Sequence, residues 1–201
     1  GFRSEDFFSE MFSEGFADRV QQALQAGQGI PSVGPGLTTH ISTVDETGGA
    51  VSITHSLGET CGEIVPGTGI LVNNFLGEGD VNPPGLDRAA GSRLITMCCP
   101  SMIERGDEIF ALGSGGSSRI PTAILHGTLY LIDHALSVSE TVAAPRTHLE
   151  AGTLHVESDG RQEATMQTAQ STWPGLIRFD GPNMFFGGLH MVGHTADGFT
   201  G

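Results

Sequence analysis

Two adjacent threonines, Thr38 and Thr39, stand where a loop rich in proline and glycine, residues 27–36, meets an alternating run that ends at Asp45. A cut between Leu37 and Thr38 leaves Thr38 with a hydroxyl nucleophile and a free α-amine on the same residue. The reference pKa of such an amine, roughly 7.7–8.0, lets it act as a base near neutrality. One residue then supplies both halves of an acyl-transfer pair. Acyl transfer also needs backbone N–H donors that can approach a carbonyl oxygen with no Cβ in the way. Gly113-Ser114-Gly115-Gly116 lies between a predicted strand and a predicted helix N-terminus, where such donors face an anion. It matches neither GxxxxGK[ST] nor GxGxxG and has no lysine nearby, which argues against a nucleotide. Gly115 and Gly116 meet the smaller requirement of an oxyanion hole.

The elements that must position these residues are readable from periodicity. Residues 39–45 and 50–56 flank a turn containing Gly48-Gly49 and predict a hairpin, so Thr38 begins a sheet edge. Residues 69–74 predict a further strand, running into the acidic glycine loop Gly77-Glu78-Gly79-Asp80. Residues 108–112 predict another strand. After the glycine loop comes an apolar helix to about residue 136, with Pro121 in its first turn and Ser117 or Ser118 as cap, and then a short helix over 137–144. Strands are expected near 147–157 and 183–192. Upstream, Phe12, Phe16, Val20 and Leu24 form one stripe of an amphipathic helix ended by Gly27.

Composition narrows the partners. The formal net charge is −14 with only nine Lys and Arg, so phosphate backbones and anionic membrane surfaces are poor partners. No apolar run approaches the roughly 18 residues that a bilayer span needs. Cys61, Cys98 and Cys99 form no CxxC and no even framework, and the eight histidines contain no HExxH, so neither a metal nor a cofactor is expected. Thirty glycines, clustered among other places at 113–116 and 187–188, predict tight turns and close backbone approaches. The chain starts with glycine and shows no signal peptide, so any targeting segment lies upstream.

Several motifs in one order carry a resemblance. Thr38-Thr39-His40-x-Ser42-x-Val44-Asp45, Gly69-Ile70-Leu71-x-Asn73-Asn74, Cys99-Pro100-Ser101, Gly113-Ser114-x-Gly116-x-Ser118-Arg119-Ile120 and Ala144-Pro145-Arg146-x-His148 together resemble the γ-glutamyltranspeptidases. The resemblance implies an α+β fold, the αββα sandwich of the N-terminal nucleophile hydrolases, present in part. It also implies self-cleavage at Leu37–Thr38 and an acyl-enzyme on Thr38. Residues 1–37 then correspond to the end of a large subunit and residues 38–201 to a small subunit truncated at its C-terminus. The hydroxyl beside the nucleophile falls on Ser56, with Thr39 adjacent. The oxyanion donors fall on Gly116 and Ser117, or on Gly115 and Gly116 if the register slips by one. Substrate contacts fall on Asn74, Glu78, Thr96, Met97 and Ser117. The implied partners are a small γ-glutamyl substrate and the rest of the large subunit, in a periplasmic or extracellular setting.

The departures from the family pattern lie in substrate recognition. Gly58 stands in place of an asparagine, Phe75 and Glu78 in place of a glutamine and an aspartate, and Thr96 and Met97 in place of paired serines. The stretch from Glu78 to Thr96 is too short for the lid loop of many members. These changes keep open an acylase of the same fold, as in the cephalosporin acylases, and a silent relative that only binds.

Overall fold

The computed structural model describes residues 38–58, 61–79, 81–83, 85–160 and 163–201, without the side chains of 163–166. The predicted helix over 12–26 and the loop before Thr38 lie outside the described residues. Strands β1 (Thr38–Val44) and β2 (Ala50–Ser56) pair antiparallel with Thr38 opposite Ser56. Their turn is closed by Asp45, whose carboxylate accepts from the N–H groups of Thr47 and Gly49 at 2.8 Å. The second sheet has the order β3 (Ser101–Arg105), β4 (Glu108–Gly115), β8 (Gly188–Thr195), β9 (Gly198–Thr200). A third sheet joins β5 (Thr147–Glu150), β6 (Thr153–Ser158) and β7 (Ile177–Asp180). Its β6–β7 pair is parallel, and the crossover contains α3 (Glu163–Thr172).

Helices α1 (Ile120–Ile132) and α2 (Val138–Ala143) cover one face of the second sheet. Phe110 and Leu112 of β4, Leu189 and Met191 of β8, Ile120, Ile124 and Leu131 of α1 and Val138 of α2 make the core. Strand alternation turns Ala111, Gly113 and Gly115 to the opposite face, and these small residues let the β1–β2 hairpin lie directly on β4. The sheet thus has helices on one side and a second β layer on the other.

The hairpin is patterned in an unusual sense. Its inner face carries Thr38, His40, Ser42, Ser52, Thr54 and Ser56, while Ile41, Val51 and Ile53 on its outer face are exposed. The inner polar groups are paired rather than stranded. His40 Nδ1 and Nε2 each lie 2.8 Å from a hydroxyl, of Thr54 and Ser42, and Ser52 Oγ donates to Leu112 O at 2.9 Å. Burial and the neighbouring His190 hold the His40 pKa below its usual value, so the ring sits neutral over Gly113.

Three expectations need correction. Residues 69–74 form no strand, only an isolated bridge between Ile64 and Leu71, because no neighbouring chain offers that segment a ladder. The strand expected over 108–112 runs on to Gly115, and the following helix ends at Ile132. Neither Ser117 nor Ser118 caps α1, whose N-cap is Arg119 with no side-chain cap bond. Both hydroxyls are bonded to carboxylates, Ser117 to Glu78 and Ser118 to Glu150. The short helix does carry a cap at its predicted start, a capping box in which Ser137 and Glu140 satisfy each other's backbone N–H.

Candidate active site

Thr38 is the first residue of β1 and points to the inner face, half-buried. The register of the hairpin sets its partner: Thr38 Oγ1 lies 3.0 Å from Ser56 Oγ on the last residue of β2. Ser56 Oγ also accepts from the Gly58 N–H at 3.1 Å, which occupies one of its lone pairs and orients the hydroxyl. Thr39, one residue on, faces outward and is exposed, as strand alternation requires.

The glycine loop closes on the same point. A Cβ built on Gly115 would lie 2.9 Å from Thr38 O and 3.4 Å from Thr38 Cβ, so these two backbones touch across the β layers. Gly115 is still a strand residue, paired with Gly188. The turn itself falls on the next two residues, Gly116 at φ 121° and Ser117 at φ 53°, the second a non-glycine in the left-handed region. From there Ser117 Oγ donates to Glu78 Oε1 at 3.2 Å. Glu78 is 9% exposed, and its Oε2 lies 3.3 Å from where a Cβ of Gly58 would stand. The circuit therefore returns to Ser56: Thr38, Ser56, Gly58, Glu78, Ser117, Gly116 and Gly115 form one ring of contacts.

The other expected residues stand at its edge or apart from it. Asn74 joins through its main chain, its N–H donating to Leu57 O at 3.0 Å, while its side chain lies over Gly77. Thr96 is exposed and its hydroxyl accepts from the Cys98 N–H at 3.1 Å, and Met97 is half-buried. Neither belongs to the ring. One contributor went unread: Gly187, at φ 67°, packs its Cα against Gly115 O and Gly116. The glycine pair 187–188 was the visible signal, but nothing local in the chain says which backbone it approaches. Among the described residues no group of three His, Cys, Asp or Glu side chains is arranged to hold a metal.

The comparison with protein families decides the identity. The γ-glutamyltranspeptidase family model matches residues 3–201. The chain belongs to the γ-glutamyltranspeptidase family. Its β layers and flanking helices are accordingly part of the sandwich of N-terminal nucleophile hydrolases. Among curated relatives it is similar to the Acylase ACY 1 proenzyme of Pseudomonas sp. (strain SE83), 33% identical over 183 residues that cover 89% of this chain and 32% of the acylase. It is similar to the glutathione hydrolase proenzyme of Arthroderma benhamiae, 33% identical over 142 residues, 63% of this chain and 24% of that protein. Among solved structures it resembles the γ-glutamyltranspeptidase of Pseudomonas nitroreducens complexed with L-DON, with a TM-score of 0.64 at 26% identity over 81% of this chain and 92% of that one. The chain thus spans about a quarter to a third of the length of these proenzymes. No helix among the described residues is long and apolar enough to cross a membrane.

Proposed function

We propose that the full-length protein cleaves γ-glutamyl amides of the glutathione type through an acyl-enzyme on Thr38, formed after it cuts itself between Leu37 and Thr38. The observation that carries this reading is the placement of Thr38 Oγ1 3.0 Å from Ser56 Oγ, with the Gly115 backbone packed against the same residue. In self-cleavage Thr38 Oγ attacks the Leu37 carbonyl, the C–N bond breaks as the acyl group moves to oxygen, and water hydrolyses the ester. This frees a carboxylate on Leu37 and the α-amine on Thr38. In turnover that amine takes the Oγ proton while Oγ attacks the substrate amide. The leaving amine departs with the proton, and water or an acceptor amine then takes the acyl group.

The oxyanion donors in this reading are the backbone N–H groups of Gly116 and Ser117. Gly115 remains in its ladder with Gly188, whereas the two residues after it make the turn. The Ser56 hydroxyl holds Thr38 Oγ1 in place. Glu78, fixed by Ser117, offers its carboxylate to an ammonium group of the substrate. The stretch from Thr38 to Gly201 makes up about four fifths of the chain, which agrees with the 81% matched in the transpeptidase structure. The acylase proenzyme match, at 89%, takes in more than that stretch. The proenzyme names of both curated relatives point the same way. On this reading residues 1–37 end a large subunit and the rest of that subunit is the partner.

A second reading, an acylase on a non-glutamyl amide, draws support from the Acylase ACY 1 match and from Gly58, which offers no side chain to a glutamyl group. Turnover of a γ-glutamyl anilide against a glutaryl amide separates the two. The first reading expects the γ-glutamyl substrate to be preferred, and a clear preference for the glutaryl amide would replace it with the second.

A further inference from the structure

Arg146, in the Ala144-Pro145-Arg146 motif, has no part in the chemistry above, yet its contacts lead to the glycine loop. Its side chain is 11% exposed and that of its partner Glu157 only 3%. The guanidinium forks onto the carboxylate, Nε donating to Oε2 at 3.1 Å and Nη2 to Oε1 at 3.2 Å. The Arg146 N–H donates to the same carboxylate at 3.0 Å. What remains of each partner goes to one turn. Arg146 Nη1 donates to Gly187 O at 2.8 Å, and Glu157 Oε1 accepts from the Asn183 N–H at 2.7 Å. In the middle of that turn Phe185 O accepts from Arg119 Nε at 3.0 Å. Residues 183–187 are therefore held at both ends and the centre by charged side chains.

The held turn is the wall behind the oxyanion loop. A Cβ on Gly187 would strike Gly115 O, and a Cβ on Gly116 would lie 3.0 Å from Gly187 Cα. Backbone is set against backbone with no side chain between. A shift of the 183–187 turn must then pass directly to Gly115 and Gly116. A buried ion pair is poor evidence for stability in itself, since apolar replacements often serve as well. Its forked geometry, with fixed donors for a distant carbonyl, is a better reason for it to be there.

We propose that the buried Arg146–Glu157 pair is a positioning device that, through the 183–187 turn and Gly187, fixes the glycine loop beside Thr38. The link to catalysis rests on the acyl-transfer reading above, while the mechanical link does not. Arg146→Lys in the full-length protein is the test, because lysine keeps the charge opposite Glu157 but cannot reach Glu157 and Gly187 O together. Hydrogen exchange of Arg146→Lys should be at least about tenfold faster across 113–118 and 183–188 and unchanged in the β1–β2 turn. Its kcat on γ-glutamyl p-nitroanilide should fall about 10- to 100-fold with KM within about twofold, as expected when a distant change misplaces reacting groups by a fraction of an ångström. Glu157→Gln, which keeps the shape, should show the same pattern more weakly. Unchanged exchange in both variants overturns the brace, and faster exchange with unchanged kcat overturns its role in positioning. A wild-type protein that never carries the acyl group on Thr38 defeats the acyl-transfer reading, and the exchange data then still decide the brace.

Discussion

Gly115→Ala is the sharpest perturbation of the contact between the glycine loop and the nucleophile. Gly115 sits in an extended strand at negative φ, so alanine fits its backbone and the only insult is steric. The new Cβ would stand 2.9 Å from Thr38 O, where ordinary contact begins near 3.4 Å, and that oxygen is main chain with no rotamer to escape into. The two strands must part by about 0.5 Å at this point. Overpacking of this kind costs about 1–3 kcal/mol of stability. Displacement of reacting groups on the same scale slows the chemistry by up to about 100-fold. The full-length variant should therefore fold, melt a few degrees lower, and show a kcat on γ-glutamyl p-nitroanilide reduced about 10- to 100-fold with little change in KM. Circular dichroism melts and steady-state kinetics measure both. A variant with wild-type kcat and self-cleavage would show that Gly115 does not lie against Thr38, and the site as built here would fall.

Other outcomes follow from the same geometry. Ser56→Ala removes the partner of Thr38 Oγ1 and strands the Gly58 N–H, a loss of about 1–3 kcal/mol, so turnover should slow roughly 5- to 150-fold; unchanged kinetics would remove Ser56 from the site. Gly58→Asn keeps a residue tolerant of φ 63° and places its side chain against Glu78, so preference for γ-glutamyl over glutaryl substrates should rise several-fold; a fall would contradict the place given to Gly58. His40, His126 and His148 all have pKa values lowered chiefly by burial. Their neutral forms are favoured in the fold, so their contribution is full above the unfolded value of about 6.5 and is lost as pH falls through the lower folded values. The melting temperature should drop between pH 7.5 and 5.5, and a flat profile there would contradict the burial of these rings.

The chain announced its local elements better than its long-range contacts. The β1–β2 hairpin was legible because alternation and a glycine turn are local signals, and its register alone brings Thr38 to Ser56. The expectation that Gly115 and Gly116 lie near Thr38 came from chemical need, and the structure sets Gly115 against it. The strand expected over 69–74 failed because β-branched residues mark a strand only where a neighbouring strand exists to pair. Strand β3 went unread although Pro100 and the Gly106 turn bound it, since its Ser-Met-Ile-Glu-Arg run lacks clear alternation. Ser117 and Ser118 looked like caps because local sequence cannot show that Glu78 and Glu150 stand ready to take their hydroxyls. Residues such as Arg146, which act across the fold on a turn about 40 positions away, leave no periodic trace.

The central claim is that Thr38 becomes an N-terminal nucleophile, and mass measurement of the purified full-length protein tests it most directly. Wild type should resolve into two chains, the smaller beginning at Thr38, and brief incubation with a γ-glutamyl substrate followed by an acid quench should add one glutamyl group to that smaller chain. Thr38→Ala should give a single uncut chain that takes up no label. Two chains of wild-type mass from Thr38→Ala, or a label on any other residue, would contradict the account.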